Sequence, residues 1–148
     1  MSKILTEIST GELLDKLSIL EIKLNKIKNP ALLQEIKNEY NIINEAKNKN
    51  INSSDEINVL YTDLKKTNEQ LWEIEDKIRL CEKNSNFKEN FIKLARDVYF
   101  TNDKRSKTKL EIFILLLFSS TLKLLKINFL PGKKLPDIFN FEIKLSFF

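Results

Sequence analysis

Asn68, Trp72, Glu75 and Arg79 follow one another at intervals of four, three and four residues. On an α-helix that spacing gathers them on one flank. A second set follows further along: Arg96, Tyr99, Asn102, Asp103 and Arg105. Brought together, these residue types suit an anionic or sugar-like ligand. Arginine grips a phosphate or carboxylate through parallel hydrogen bonds, Trp and Tyr stack on a ring, and Asn reads hydroxyls. The same side chains also suit a half-buried polar network that sets helix register and partner choice, and this structural reading is preferred. Trp72 alone is more often a packing anchor. Glu75 and Asp76 are neighbours in sequence, so they point about 100° apart on a helix and form no acid–base dyad. Glu12, Asp15 and Lys16 are a secondary group, for which helix capping and surface pairs four residues apart suffice.

Other chemistries are excluded by what the chain lacks. There is no histidine, which removes imidazole bases, Ser-His-Asp and Cys-His nucleophile systems and most zinc sites. The one cysteine, Cys81, cannot form an internal disulfide and lies on an apolar helical seam. A buried thiol in a reducing, cytoplasmic compartment fits it. No Gly-rich loop and no metal-ligand cluster is present, so no cofactor is expected and an enzyme is disfavoured. The N-terminus lacks an apolar signal core, so no secretion is expected.

The elements that must position the polar residues are helices. Two glycines and three prolines in 148 residues imply few turns and long elements. From Ser53 to Asn84 an apolar seam runs Ile57, Leu60, Leu64, Thr67, Leu71, Ile74, Ile78, Cys81, a heptad pattern broken only by Thr67. Thirty residues of helix reach ~45 Å. Ser53 with Glu56 reads as its capping box. Before it, Ser9 and Glu12 form another capping box, with Ile8 and Leu13 as a hydrophobic staple. The first core line is Leu13, Leu17, Leu20, Leu24, Ile27, with Ile19 and Ile22 as surplus apolar residues further round. Asn29-Pro30 caps a second helix with the line Leu33, Ile36, Tyr40, Ile43, and Asn48–Asn52 reads as a loop. After a break at Asn84-Ser85-Asn86, a fourth line runs Phe87, Phe91, Leu94, Val98 and turns polar at Thr101, Asn102 and Arg105. A hairpin about residue 85 would bring Asn102 level with Asn68, and Val98 and Tyr99 level with Trp72. The expected fold is all-α: an antiparallel bundle of three to four helices with coiled-coil-like heptad packing. Self-association is expected through the long third helix or the surplus face of the first.

Charge does not mark a nucleic-acid binder. Residues 1–111 hold 20 Lys/Arg against 19 Asp/Glu, and the last 37 supply five Lys against Asp137 and Glu142 within the net +4. Mixed signs along each helix describe solvated faces. Composition shifts near Ile112. Seven of the ten phenylalanines lie beyond it, and Ile112–Phe118 is continuously apolar. Lys123 and Lys126 leave fewer than the ~20 apolar residues a membrane span needs, so Phe113–Leu130 would allow only a peripheral membrane contact. The expected organisation is a helical domain over residues 1–112 and an atypical Phe/Lys-rich tail over 113–148.

Three segments carry a resemblance: Ser9–Lys23 (STGELLDKLSILEIK), Leu71–Arg79 (LWEIEDKIR), and Phe91–Tyr99 (FIKLARDVY) followed by Asn102–Arg105 (NDKR). Over residues 4–112 the chain resembles an uncharacterised family of short bacterial helical proteins, a domain of unknown function. The resemblance implies no activity. Members of that family tend to lie near genes for surface-polysaccharide synthesis and glycosyltransferases, which is association rather than mechanism. The family pattern closes soon after Arg105, so the Phe-rich tail reads either as out-of-frame or foreign sequence or as a lineage-specific extension. The function expected is a non-enzymatic interaction or assembly protein accessory to surface-polysaccharide (lipopolysaccharide) synthesis, with a glycosyltransferase as candidate partner. The alternative is a small helical enzyme or binder of an anionic or sugar-like metabolite.

Overall fold

A computed structural model describes residues 6–124, without the side chains of 120–124. The protein is all-α. Among the described residues four helices follow in order: α1 (Thr10–Lys26), α2 (Pro30–Asn50), α3 (Asp55–Lys83) and α4 (Glu89–Leu124).

The local starts and stops follow from side-chain chemistry. Ser9 caps α1 by accepting the Glu12 N–H at 3.2 Å, while the Glu12 carboxylate accepts from Lys109 of α4 at 2.7 Å. Asn29 caps α2 by accepting from Ala31 and Leu32, with Pro30 at the first helical position. The cap of α3 is Ser54, which accepts the Ile57 N–H at 3.3 Å. The expected cap at Ser53 is therefore one residue early: the Ser53 hydroxyl turns instead to the Asn58 side chain at 2.9 Å. The expected loop at Asn48–Asn52 is largely helix, since α2 continues to Asn50 and Ile51 is buried in the core. One apolar residue beyond a polar run was enough to anchor its end. Phe87, placed on the core line, lies before α4 and is half exposed, edge-on to Phe91.

The α3–α4 turn closes with a Schellman motif. The Ser85 N–H donates to Glu82 and the Asn86 N–H to Cys81, with Ser85 in the left-handed region at φ 49°. These bonds satisfy the last carbonyls of α3 and reverse the chain.

The hub of the fold is α1, whose backbone runs close to all three other helices, whereas the backbone of α2 comes close to α1 alone. Its N-terminal end meets α4, where Glu12 binds Lys109. Its middle meets α3 and α4 together, through Asp15. Its second half meets α3, where Glu21 binds Tyr61 and Lys65. So α1 passes obliquely across the α3/α4 hairpin. Its apolar residues exceed one stripe because it is covered on several sides; Leu14, Leu17, Leu20 and Ile22 are buried, each worth roughly 1.5–3 kcal/mol of burial. Of the two surplus residues Ile22 is thereby covered within the chain, while Ile19 is half-buried and faces a groove. One core joins Leu13, Leu14 and Leu17 to Ile51, Ile57, Leu64 and Ile112, with Tyr40, Ile43 and Ala46 of α2 against it. Residue 112 thus lies inside a continuous helix, fully buried. A second cluster, Ile74, Cys81 and Leu94 with Ile78, Phe91 and Val98, is built by α3 and α4 alone. The hairpin beyond it stands clear of α1 and α2. Residues 125–148 lie outside the described part, and with them most of the tail's sequence expectations.

Candidate functional site

The polar residues converge where α1 crosses the hairpin. Asp15 is 3% exposed. Its Oδ1 accepts from Arg105 Nε at 2.9 Å and from Asn68 Nδ2 at 2.8 Å; its Oδ2 accepts from Arg105 Nη2 at 2.6 Å. Asn68 Nδ2 also reaches the Ser18 hydroxyl at 2.8 Å, and that hydroxyl donates to the Asp15 carbonyl. Arg105 Nη1 donates to Asn102 Oδ1 at 3.3 Å, and Lys109 Nζ stands 3.9 Å from Asp15 Oδ2. The hydrogen bond to Asp15 is the leading reason the Arg105 pKa is raised further above its ordinary value. One carboxylate thus joins α1, α3 and α4.

This corrects the reading of Asp15 as a surface residue. The signal was present: Asp15 and Ser18 are three residues apart among Leu13, Leu14, Leu17 and Leu20, so two polar groups lie on the apolar side of the helix. Glu12 and Lys16 are exposed, and each ties α1 to a neighbour, Glu12 to Lys109 and Lys16 to Glu39 of α2 at 2.7 Å. Gly11 has a role that composition did not show. A Cβ there would run into the carbonyl oxygen of Lys109 and stand 3.0 Å from its carbon, so α1 and α4 approach backbone to backbone only because residue 11 has no side chain.

Beside the network, a groove of 360 Å³ is lined by Ile19, Ile22, Lys23, Asn68, Leu71, Trp72, Glu75, Arg79 and Arg105. Its charged side chains are largely engaged. Arg79 donates to Glu75 at 3.0 Å and to Asp76 at 2.9 Å, bridging the two carboxylates. Among the described residues, Lys23 is the groove's one cation outside an ion pair.

The structure gathers Asn68, Asn102 and Arg105 with Asp15, and Trp72, Glu75 and Arg79 along the groove. The remaining candidates are elsewhere. Arg96 lines a separate groove on the outer side of α4. Tyr99 is half exposed, 4.4 Å from the Phe100 ring, and Asp103 is exposed. A one-residue step on a helix turns the side chain by about 100°, so Tyr99 and Asp103 follow neither Val98 nor Asn102 inward. Among the described residues no three His, Cys, Asp or Glu side chains converge as metal ligands, and no helix is long and apolar enough to cross a membrane.

Fold and site together define a small all-α protein whose central helix is locked across a helical hairpin by a buried Asp–Arg–Asn–Ser network. The chain belongs to a family of unknown function, DUF6165, whose model matches residues 4–134. The match extends past residue 112, where the resemblance of the three segments ends, and so takes in the first part of the Phe-rich sequence. Comparison with curated proteins finds no match, and neither does comparison with solved structures.

Proposed function

We propose that the protein is a non-enzymatic helical interaction or assembly protein, accessory to surface-polysaccharide synthesis. The observation that carries the first half is the pairing of its polar residues with one another. Both oxygens of Asp15 are held by Arg105, Asn68 is divided between Asp15 and Ser18, and Arg79 is held by Glu75 and Asp76. A catalytic acid, base or nucleophile needs a free valence toward its substrate; these groups face each other. The hairpin clear of the hub meanwhile exposes Leu80 and Phe87 at its tip, apolar surface suited to contact with another protein. The second half, with a glycosyltransferase as the partner class, rests on the resemblance alone.

The test is a native pull-down of the full chain with mass spectrometry. Stoichiometric recovery of a glycosyltransferase, lost on combining Leu80→Ser with Phe87→Ser, supports the reading. Failure to recover any such partner, together with a sugar nucleotide that raises Tm in the wild type and not in Trp72→Ala, overturns it in favour of a ligand groove at Trp72 and Lys23.

A further inference from the structure

We propose that the groove between α1 and α3 binds a single sugar ring carrying one anionic group, a phosphate or a carboxylate. The inference goes beyond the assembly reading and does not depend on it. The site belongs to the folded chain by itself, and it serves binding rather than catalysis.

The polar atoms that the buried network leaves over carry the inference. Asn68 is 5% exposed. Its amide nitrogen is committed twice, to Asp15 and to Ser18. The Asp15 carboxylate, held by Arg105, can only accept. The amide must therefore turn its N–H side to the network and its Oδ1 away from it. Among the described residues that oxygen receives no hydrogen bond, and Asn68 lines the groove. A buried carbonyl oxygen left without a donor is costly, so it favours a ligand that brings an O–H or N–H to it. Lys23 is half-buried, and its ammonium is the cation of the groove that no carboxylate among the described residues holds. It suits one anionic group. Trp72 is half-buried beside Leu71 and Ile19, and its indole N–H has no acceptor among the described residues.

Spacing and size narrow the ligand. Asn68 and Trp72 stand one turn apart on α3, ~6 Å along its axis, and Ile19 and Lys23 stand one turn apart on α1. A hydroxyl donor, a flat apolar face and an anion within so short a span describe a sugar acid or sugar phosphate. The groove's 360 Å³ lies near the small end of ligand sites, roughly 300–1,000 Å³, which is room for one ring rather than a nucleotide. A pyrophosphate would also need further free cations, and Arg79 and Arg105 are held by Glu75, Asp76 and Asp15.

Trp72 is the chain's one tryptophan, so its fluorescence reports this groove and no other place. The experiment titrates the full chain with hexose phosphates, hexuronates, neutral hexoses and inorganic phosphate. A saturable change is expected with a charged sugar, at a Kd below about 1 mM. The neutral hexose and inorganic phosphate are each expected to bind about tenfold more weakly or worse. Lys23→Gln should weaken the charged sugar by about tenfold or more, and Lys23→Arg should keep it. Trp72→Leu, followed by calorimetry, should weaken the charged sugar as well. Helicity by circular dichroism confirms that these substitutions leave the fold in place. Saturation by no charged sugar overturns the proposal. So does a Kd that Lys23→Gln or Trp72→Leu leaves unchanged, or inorganic phosphate that binds as tightly as the sugar phosphates. The titrations use the purified chain alone and are read apart from the pull-down. Recovery of a glycosyltransferase with no charged sugar bound would sink this site and leave the assembly reading. A bound sugar with no partner recovered would keep the site and remove that reading.

Discussion

Arg105 grips Asp15 with both ends of its fork, Nε to Oδ1 at 2.9 Å and Nη2 to Oδ2 at 2.6 Å, across 90 residues of sequence. The carboxylate is buried while the guanidinium side chain keeps 26% exposure. Removing one partner of a buried pair leaves a charge without compensation. Asp15→Ala is therefore expected to cost about 3 kcal/mol, the low end for such pairs because Arg105 can turn toward water. Arg105→Lys should recover only part of the loss, since an ammonium cannot reproduce the two parallel bonds. Urea unfolding by circular dichroism measures both. An Asp15→Ala variant as stable as wild type would show that the network does not lock the hub.

Gly11 is where α1 touches α4 backbone to backbone. A methyl group at this position has no space beside the Lys109 carbonyl, so Gly11→Ala must push the helices apart. The usual helical gain of alanine over glycine, ~1 kcal/mol, is outweighed by overpacking at typically 1–3 kcal/mol and by loosening of the Glu12–Lys109 and Asp15–Arg105 pairs. The expected outcome is a lower Tm; a rise would show that α1 and α4 do not approach closely.

Ser85 holds a left-handed conformation at φ 49° that glycine adopts without a Cβ penalty. Ser85→Gly is expected to stabilise the hairpin by about 0.5–1 kcal/mol. The Schellman hydrogen bonds come from backbone groups and survive the change. Chemical denaturation gives the sign directly.

Glu21 accepts from Tyr61 at 2.8 Å and from Lys65 at 2.7 Å. Burial, then the Glu21 hydrogen bond, pushes the phenol pKa well above its ordinary 10.0. The same carboxylate raises the Lys65 ammonium above 10.5. Both groups hold their protons more tightly folded than unfolded. Their contribution is complete below the unfolded values and is lost as pH rises above 10.0, because the unfolded phenol ionises there first. Thermal melts from neutral pH upward should show stability falling beyond that point. Tyr61→Phe should flatten the fall, and an unchanged slope would place the alkaline sensitivity elsewhere.

Helix existence and the inward stripes were legible in the residues alone. Every member of the α3 seam from Ile57 to Cys81 is buried or half-buried, and so is the α2 line from Leu33 to Ile43. Apolar side chains at helical spacing must leave water together, whatever covers them. The helix ends were legible to within a residue or two, because Ser, Asn and Pro act through local backbone chemistry. Even the polar turn of the α4 line at Thr101, Asn102 and Arg105 followed from its period.

What covers each stripe was decided only by tertiary structure. Periodicity singles out α3 as the longest regular seam, but the hub is α1, whose apolar residues spill beyond one stripe because three helices surround it. The partner of Arg105 is a carboxylate on the first helix, and no spacing within α4 could name it. Gly11 likewise reads as a weak helix former until the carbonyl of Lys109 lies against it. Local sequence determines which side of a helix turns inward, since that depends on 3.6 residues per turn. The crossing of α1 over the hairpin depends on how side chains 50 to 90 residues apart fill a shared volume, and it turned Asp15 from a surface acid into the centre of the site.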